Sequence, residues 1–180
     1  NQQPVAIPNP EALGPVWFVK AVKMVNNADE EMKAMDNFSP KDTAIADKRE
    51  QSRITLPTQL DSTASIKLIQ NLNDQILYES KSTSNQFAVF SEIYYPHGWK
   101  ALIDGKEFPI ARVNYALRGL SIPAGNHTIE FRFEPASKAT GDLISLIIGL
   151  LSILLVAGGL FWEWKKSNSV PASTKPASKS

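Results

Sequence analysis

The chain has 180 residues, a formal net charge of +1 and no cysteine. Disulfides, zinc–thiolate sites and cysteine nucleophiles are therefore excluded, and the near-neutral balance offers no basic footprint for nucleic acid. The length admits one or two small domains, and an outward-facing domain without cysteine suits a bacterial envelope.

Asn1–Pro15 contains Pro4, Pro8, Pro10 and Pro15 and reads as an extended lead-in. Val16–Val25, VWFVKAVKMV, is rich in β-branched and aromatic residues and predicts a strand buried on both faces. Asn27 then caps a helix, with Glu30 three residues on to close a capping box. Ala28, Met32 and Met35 predict its apolar face. Asp29, Glu30 and Glu31 read as a solvated first turn suited to the helix dipole, because adjacent acids on a helix point in different directions. Ser39-Pro40 ends this helix, and Thr43–Asp47 predicts a short strand. Residues 16–47 thus predict a small α+β unit, and the polar stretch 48–63 a linker.

From Ala64 the pattern changes to short strands separated by turns. Strands are predicted at Ser65–Gln70, Gln75–Ser80, Gln86–Tyr95, Trp99–Ile103, Lys106–Val113, Tyr115–Ile122 and His127–Glu134. Asp104-Gly105 between two apolar runs is a hairpin signal, since both turn residues need positive φ. Ile129, Phe131 and Phe133 alternate with Thr128, Glu130, Arg132 and Glu134, which gives that strand one apolar face. About seven such strands make residues 64–135 an antiparallel β-sandwich, so the fold class is mainly β.

Leu143–Trp162, LISLIIGLLSILLVAGGLFW, carries no charge. As a helix it spans about 30 Å, the thickness of a bilayer's hydrocarbon core. Lys165, Lys166, Lys175 and Lys179 follow it, while the charges before it balance. The positive-inside rule then places residues 1–142 outside the cytoplasm and a disordered tail, 163–180, inside a bacterial cytoplasmic membrane. The short connector 135–141 keeps the sandwich close to the membrane surface. An exported domain without its own signal sequence predicts either a removed signal or the C-terminal piece of a longer membrane protein.

No constellation in the sequence reads as catalytic, and no metal or cofactor is predicted. His97 and His127 lie at turn edges, with no nucleophile motif beside them, and read as solvated or packing residues. Glu92 and Asp104 are a weighed carboxylate pair, but the turn already accounts for Asp104. The functional candidates are Tyr94, Tyr95, Trp99, Arg112, Asn114, Tyr115 and Arg118. Sugars stack on aromatic faces and are fixed by a few planar polar groups, and these residues supply both. The competing reading is that Trp99 and Tyr95 fill the core and Arg118 braces a strand end. Arginines turned toward the membrane would instead meet a lipid-linked phosphate.

FSEIYYPHGWKALIDG, followed by NYALRGLSIPAGNHTIEFRFEP, resembles the C-terminal region of the YfhO family of bacterial multi-pass membrane proteins. VWFVKAVKMVNNADEEMKAM and TAIAD are similar in the same order, so the likeness runs from about Gly14 to Trp162. The resemblance implies a GT-C-type glycosyltransferase that takes sugar from a polyprenyl-phosphate carrier and modifies an envelope glycopolymer. It carries over no catalytic residue, because the implied catalytic loop belongs to a many-helix region absent from these 180 residues. Two functions follow as expectations. One is an accessory, acceptor-positioning domain whose partners are the bilayer, the rest of a multi-pass protein and a polyprenyl-linked sugar or envelope glycan. The other is a stand-alone single-span module that binds glycan or protein and catalyses nothing.

Overall fold

A computed structural model describes residues 9–57 and 59–168. It divides into two compact units, residues 1–135 and 136–180. The start of the lead-in, 1–8, and the end of the tail, 169–180, lie outside the described residues.

The first unit is mainly β and antiparallel. A four-stranded sheet has the order β1 (Val16–Val19), β6 (Gln86–Ile93), β10 (Leu117–Ile122), β9 (Ala111–Val113). A five-stranded sheet has the order β4 (Ser65–Asn71), β5 (Gln75–Ser82), β11 (Gly125–Phe133), β7 (Trp99–Ile103), β8 (Lys106–Phe108). Their inner faces share one core, in which Tyr78, Phe90 and Phe131 meet edge to face at centroid distances of 4.8–6.0 Å. Such pairs add about 0.5–1.5 kcal/mol each beyond the area they bury. The expected alternation in β11 holds, with Ile129 and Phe131 fully buried.

The strand predicted over Val16–Val25 is two strands in two sheets. Val16 faces the sandwich core, and Val19 faces a second core with Phe87, Val89, Ala111 and Val113. At Lys20 the chain leaves the sandwich, and the N–H groups of Lys20 and Ala21 both donate to the Asp42 carbonyl, at 2.8 and 3.2 Å. The Lys20 ammonium closes the same corner on the Asp42 carboxylate at 2.7 Å. β2 (Ala21–Val25) then pairs in parallel with β3 (Thr43–Asp47) across α1 (Ala28–Met35). Val22, Ala44 and Ala46 cover the outer face of the four-stranded sheet through the second core. The α+β piece is thus a third layer on the sandwich, and β1 belongs to the sandwich itself.

Lys106–Val113 also divides. Pro109 supplies no N–H to a ladder, and the chain crosses there from the five-stranded sheet, through β8, to the four-stranded sheet, through β9. The expected linker contains a 3-10 turn, Lys48–Arg53, capped by the Asp47 carboxylate, which accepts from the Arg49 N–H. Arg49 also pairs with Asp47 at 2.8 Å and holds that carboxyl down to about 2.

Two loops mark one end of the sandwich, the β4–β5 turn and the β6–β7 loop. Register places Asn71 beside Ile76, Gln75 beside Arg132, and Trp99 beside Phe133. Tyr94 N–H donates to the Ala116 carbonyl and Ser91 N–H to that of Pro15, so the β9–β10 turn and the start of β1 lie at this end too. The Asp104-Gly105 hairpin and the Pro123–Gly125 turn form the opposite end.

The second unit is α2 (Ala136–Asn168). Thr140–Lys166 contains an 18-residue stretch with a mean hydropathy of 2.7 and none of it buried, and is long and apolar enough to cross a membrane. Ser152 returns its hydroxyl to the Ile148 carbonyl at 2.8 Å, so its polar atom is satisfied within the helix.

Candidate functional site

The structure separates the seven candidate residues into two groups. The first surrounds the turn between β9 and β10. Asn114 and Tyr115 both take left-handed backbone angles, φ 48° and 68°, which a non-glycine residue adopts rarely. Asn114 N–H donates to the Ile45 carbonyl at 2.7 Å, and its side-chain oxygen accepts from the Ile45 N–H at 2.8 Å. The amide thereby stands in for a neighbouring strand and ties β3 to the sandwich.

Glu31 fixes the next residue. Its carboxylate is fully buried, accepts from Tyr115 N–H at 2.8 Å and pairs with the Arg112 guanidinium at 2.9 Å. Arg112 also donates to the Tyr115 carbonyl and lies 5.4 Å from the Tyr115 ring centroid. This corrects the expected helix face, since Glu31 points inward and Met32 is exposed. Burial of a carboxylate is tolerated here because a cation and a backbone donor meet both oxygens. The helix start itself is as expected, with Asn27 accepting from Glu30 N–H, although Glu30 returns its carboxylate to Asn26 N–H.

Polar contacts continue outward. Glu50 accepts from Arg112 N–H at 3.2 Å and pairs with Arg53 at 2.9 Å, and Arg53 donates to the Tyr94 hydroxyl at 3.2 Å. Glu31, Glu50 and Arg53 have no sequence signal as partners of Arg112 and Tyr94, because each lies far along the chain from them.

The second group closes one end of the sandwich core. Arg118 is buried, donates Nε–H to the Ile93 carbonyl at 3.0 Å, and lies 4.3 Å from the Trp99 ring centroid and 5.2 Å from that of Phe131. Burial lowers its pKa, opposed by the charge of Glu92. One guanidinium nitrogen, Nη1, and the hydroxyl of buried Tyr78 have no protein partner. Trp99 is half-buried against Phe133 at 5.3 Å. Tyr95 is half-exposed and meets His97 edge to face at 5.6 Å.

Glu92 and Asp104 are not brought together. Glu92 acts on Arg118, whereas Asp104 sits at the far end of the sandwich. There Asp104 accepts from Thr128 N–H at 3.0 Å and meets His127 Nδ1 at 2.6 Å. His127 Nε2 faces the Ala124 carbonyl at 3.1 Å. Both ring nitrogens therefore face acceptors, an arrangement only the imidazolium satisfies fully. The Asp104 hydrogen bond raises the His127 pKa and in return lowers that of Asp104. A polar groove of about 490 Å³ runs beside this pair, lined by Lys67, Lys81, Asn126 and Thr128 among others, and no Tyr, Trp or Phe contributes to it.

The sequence pattern of the family described as bacterial membrane protein YfhO matches residues 50–145, more than half of the chain. The chain belongs to the YfhO family. No curated protein and no solved structure matches it. The match opens within the 3-10 turn and closes in α2, so it takes in all seven candidate residues of this YfhO chain. Their partners Glu31 and Ile45 lie before it. Membership of a membrane-protein family, with the apolar segment Thr140–Lys166, makes this a membrane protein.

Proposed function

We propose that this chain is the extracytoplasmic domain and adjoining membrane helix of a glycosyltransferase-like YfhO protein. In this reading the parent enzyme draws sugar from a polyprenyl-phosphate carrier to modify an envelope glycopolymer. The present region positions the acceptor and supplies no catalytic group. Residues 1–142 face outward and 163–180 the cytoplasm, on the strength of the lysines that follow the apolar segment.

The observation that carries the accessory role is where the polar groups are spent. Arg112, Asn114 and Arg118 are engaged with Glu31, Ile45 and the Ile93 carbonyl, and Trp99 covers Arg118. A scaffold uses its planar cations in this way. A reaction centre holds them toward an open pocket. The exposed ring of Tyr115 is the candidate left to stack on a sugar.

The test is made in the full parent protein in native membranes. Tyr115→Ala should raise the acceptor concentration needed for half-maximal transfer while the outer domain stays folded. An unchanged acceptor dependence removes the positioning role. A soluble fragment, residues 1–137, that transferred or hydrolysed sugar by itself would overturn the accessory reading altogether.

A further inference from the structure

One end of the sandwich exposes apolar side chains beside the departing chain. The β4–β5 turn, the β6–β7 loop and the last residue of β11 lie together there, and they present Leu72, Ile93 and Tyr95. These side chains are 48%, 71% and 51% exposed. Of the charges beside them, Lys100 and Arg132 both pair with Glu134, at 3.0 and 3.3 Å, and Asp74 in the β4–β5 turn is an exposed carboxylate. The opposite end carries the Asp104–His127 pair and the polar groove, with Leu56 and Leu60 exposed on the chain that Ser121 and Ser84 hold there.

The same end holds the chain just before the apolar segment. Glu134 N–H donates to the Gly98 carbonyl, and Phe133 N–H to that of Asp74. α2 begins at Ala136 and its apolar part at Thr140. Six steps, four of them helical, reach at most about 15 Å, whatever the angle between the two units. The headgroup layer on each side of a bilayer is itself roughly 5–8 Å thick. An apolar and aromatic surface tethered this closely to a membrane segment has a lipid interface as its nearest large apolar partner, and tyrosine is enriched at that depth.

We infer that Leu72, Ile93 and Tyr95 form a lipid-contacting surface that seats this end of the sandwich in the headgroup region of the bilayer. With Lys100 and Arg132 paired to Glu134 and Asp74 acidic, the contact rests on burial of apolar side chains rather than on attraction to anionic lipid.

The absence of cysteine allows a direct test on the full chain. Leu72→Cys, Ile93→Cys and Tyr95→Cys, each alone, are spin-labelled and reconstituted in phosphatidylethanolamine–phosphatidylglycerol vesicles. Lys81→Cys and Lys106→Cys, exposed near the other end, serve as references. The three labels should collide with an aqueous nickel chelate several-fold less, and with oxygen more, than the references. Equal nickel collision at all five positions overturns the inference. Shielding from nickel and oxygen alike also overturns it, because that signature marks protein contact. Restored nickel access at position 72 in a Leu72→Cys chain that also carries Ile93→Ser and Tyr95→Ser supports it further. Flotation with the vesicles reports membrane insertion separately, and no sugar transfer is read, so this result is independent of the proposed enzymatic role.

Discussion

Glu31 and Arg112, 81 residues apart in sequence, form an ion pair whose carboxylate is fully buried. The pair joins α1 to the edge strand of the sandwich, and Glu31 also holds the backbone of Tyr115. Glu31→Ala leaves a partly buried guanidinium without its counter-ion and should destabilise the outer unit by about 2–4 kcal/mol. Arg112 keeps 21% of its side-chain surface in solvent, which lowers the figure for a fully sealed pair. Chemical denaturation of the purified domain reads the change, and a loss below about 0.5 kcal/mol, the scale of an exposed pair, would show that Glu31 is not a bolt.

Asn114 completes a two-bond pairing with Ile45 from a left-handed backbone. Asn114→Ala removes one acceptor and puts a poorer residue at positive φ, for a loss of about 1–3 kcal/mol. Asn114→Gly keeps the backbone permissive and loses only the side-chain bond, so it should be the milder change. Hydrogen exchange at the Ile45 amide gives a local readout, since that N–H becomes exchangeable in both variants.

Trp99 is a wall of the Arg118 compartment. Trp99→Ala should cost about 2–4 kcal/mol, below the range for a fully buried tryptophan because the ring is half-exposed. Arg118→Met should be tolerated better, because it removes a desolvated charge that is hydrogen-bonded to a carbonyl and feels Glu92 only at longer range. Melting temperatures of the two variants decide the order.

Gly119 has no room for a side chain, since a Cβ there would lie 2.6 Å from the Phe87 ring and 3.0 Å from Val113. Gly119→Ala should destabilise by about 1–3 kcal/mol through overpacking of the second core. Gly119→Ala combined with Phe87→Leu should recover part of this, which a double-mutant cycle measures.

His127 makes the far end of the sandwich sensitive to pH. Its pKa is raised by Asp104, so its contribution is fully present below the unfolded value of about 6.5 and is lost as pH rises through the folded value. Asp104 is lowered in the fold, so its contribution is present above about 3.9 and is lost as pH falls through its folded value. Thermal melts at about pH 5.5 and 8.5 should show the wild type losing more stability on going alkaline than His127→Gln does. Parallel loss in both proteins would dismiss the imidazolium clamp.

Most of the sandwich was readable because its signals are local. Alternation at Ile129 and Phe131, the Asp104-Gly105 turn and the charge-free segment each depend on neighbours in sequence. The division at Lys20 was not readable, because VWFVKAVKMV is apolar on both sides in either sheet, and only distant Phe87 and Asp42 decide which sheet each half joins. The inward turn of Glu31 is hidden for a related reason. Three adjacent acids look alike in a first helical turn, and what draws the third inward is an arginine on a strand much later in the chain. Among the candidates, residue type indicated planar cations and rings, but not whether they face a ligand or one another. Arg118 and Trp99 face one another.

Ser91 receives the incoming chain, its N–H bound to the Pro15 carbonyl and its hydroxyl to that of Gly14, at the end of the sandwich from which Glu134 departs. Inlet and outlet of the outer unit therefore lie at the same end of the sandwich. Strain applied to the chain at either lead is thus delivered to that one end, and the Asp104–His127 clamp at the other is left unloaded.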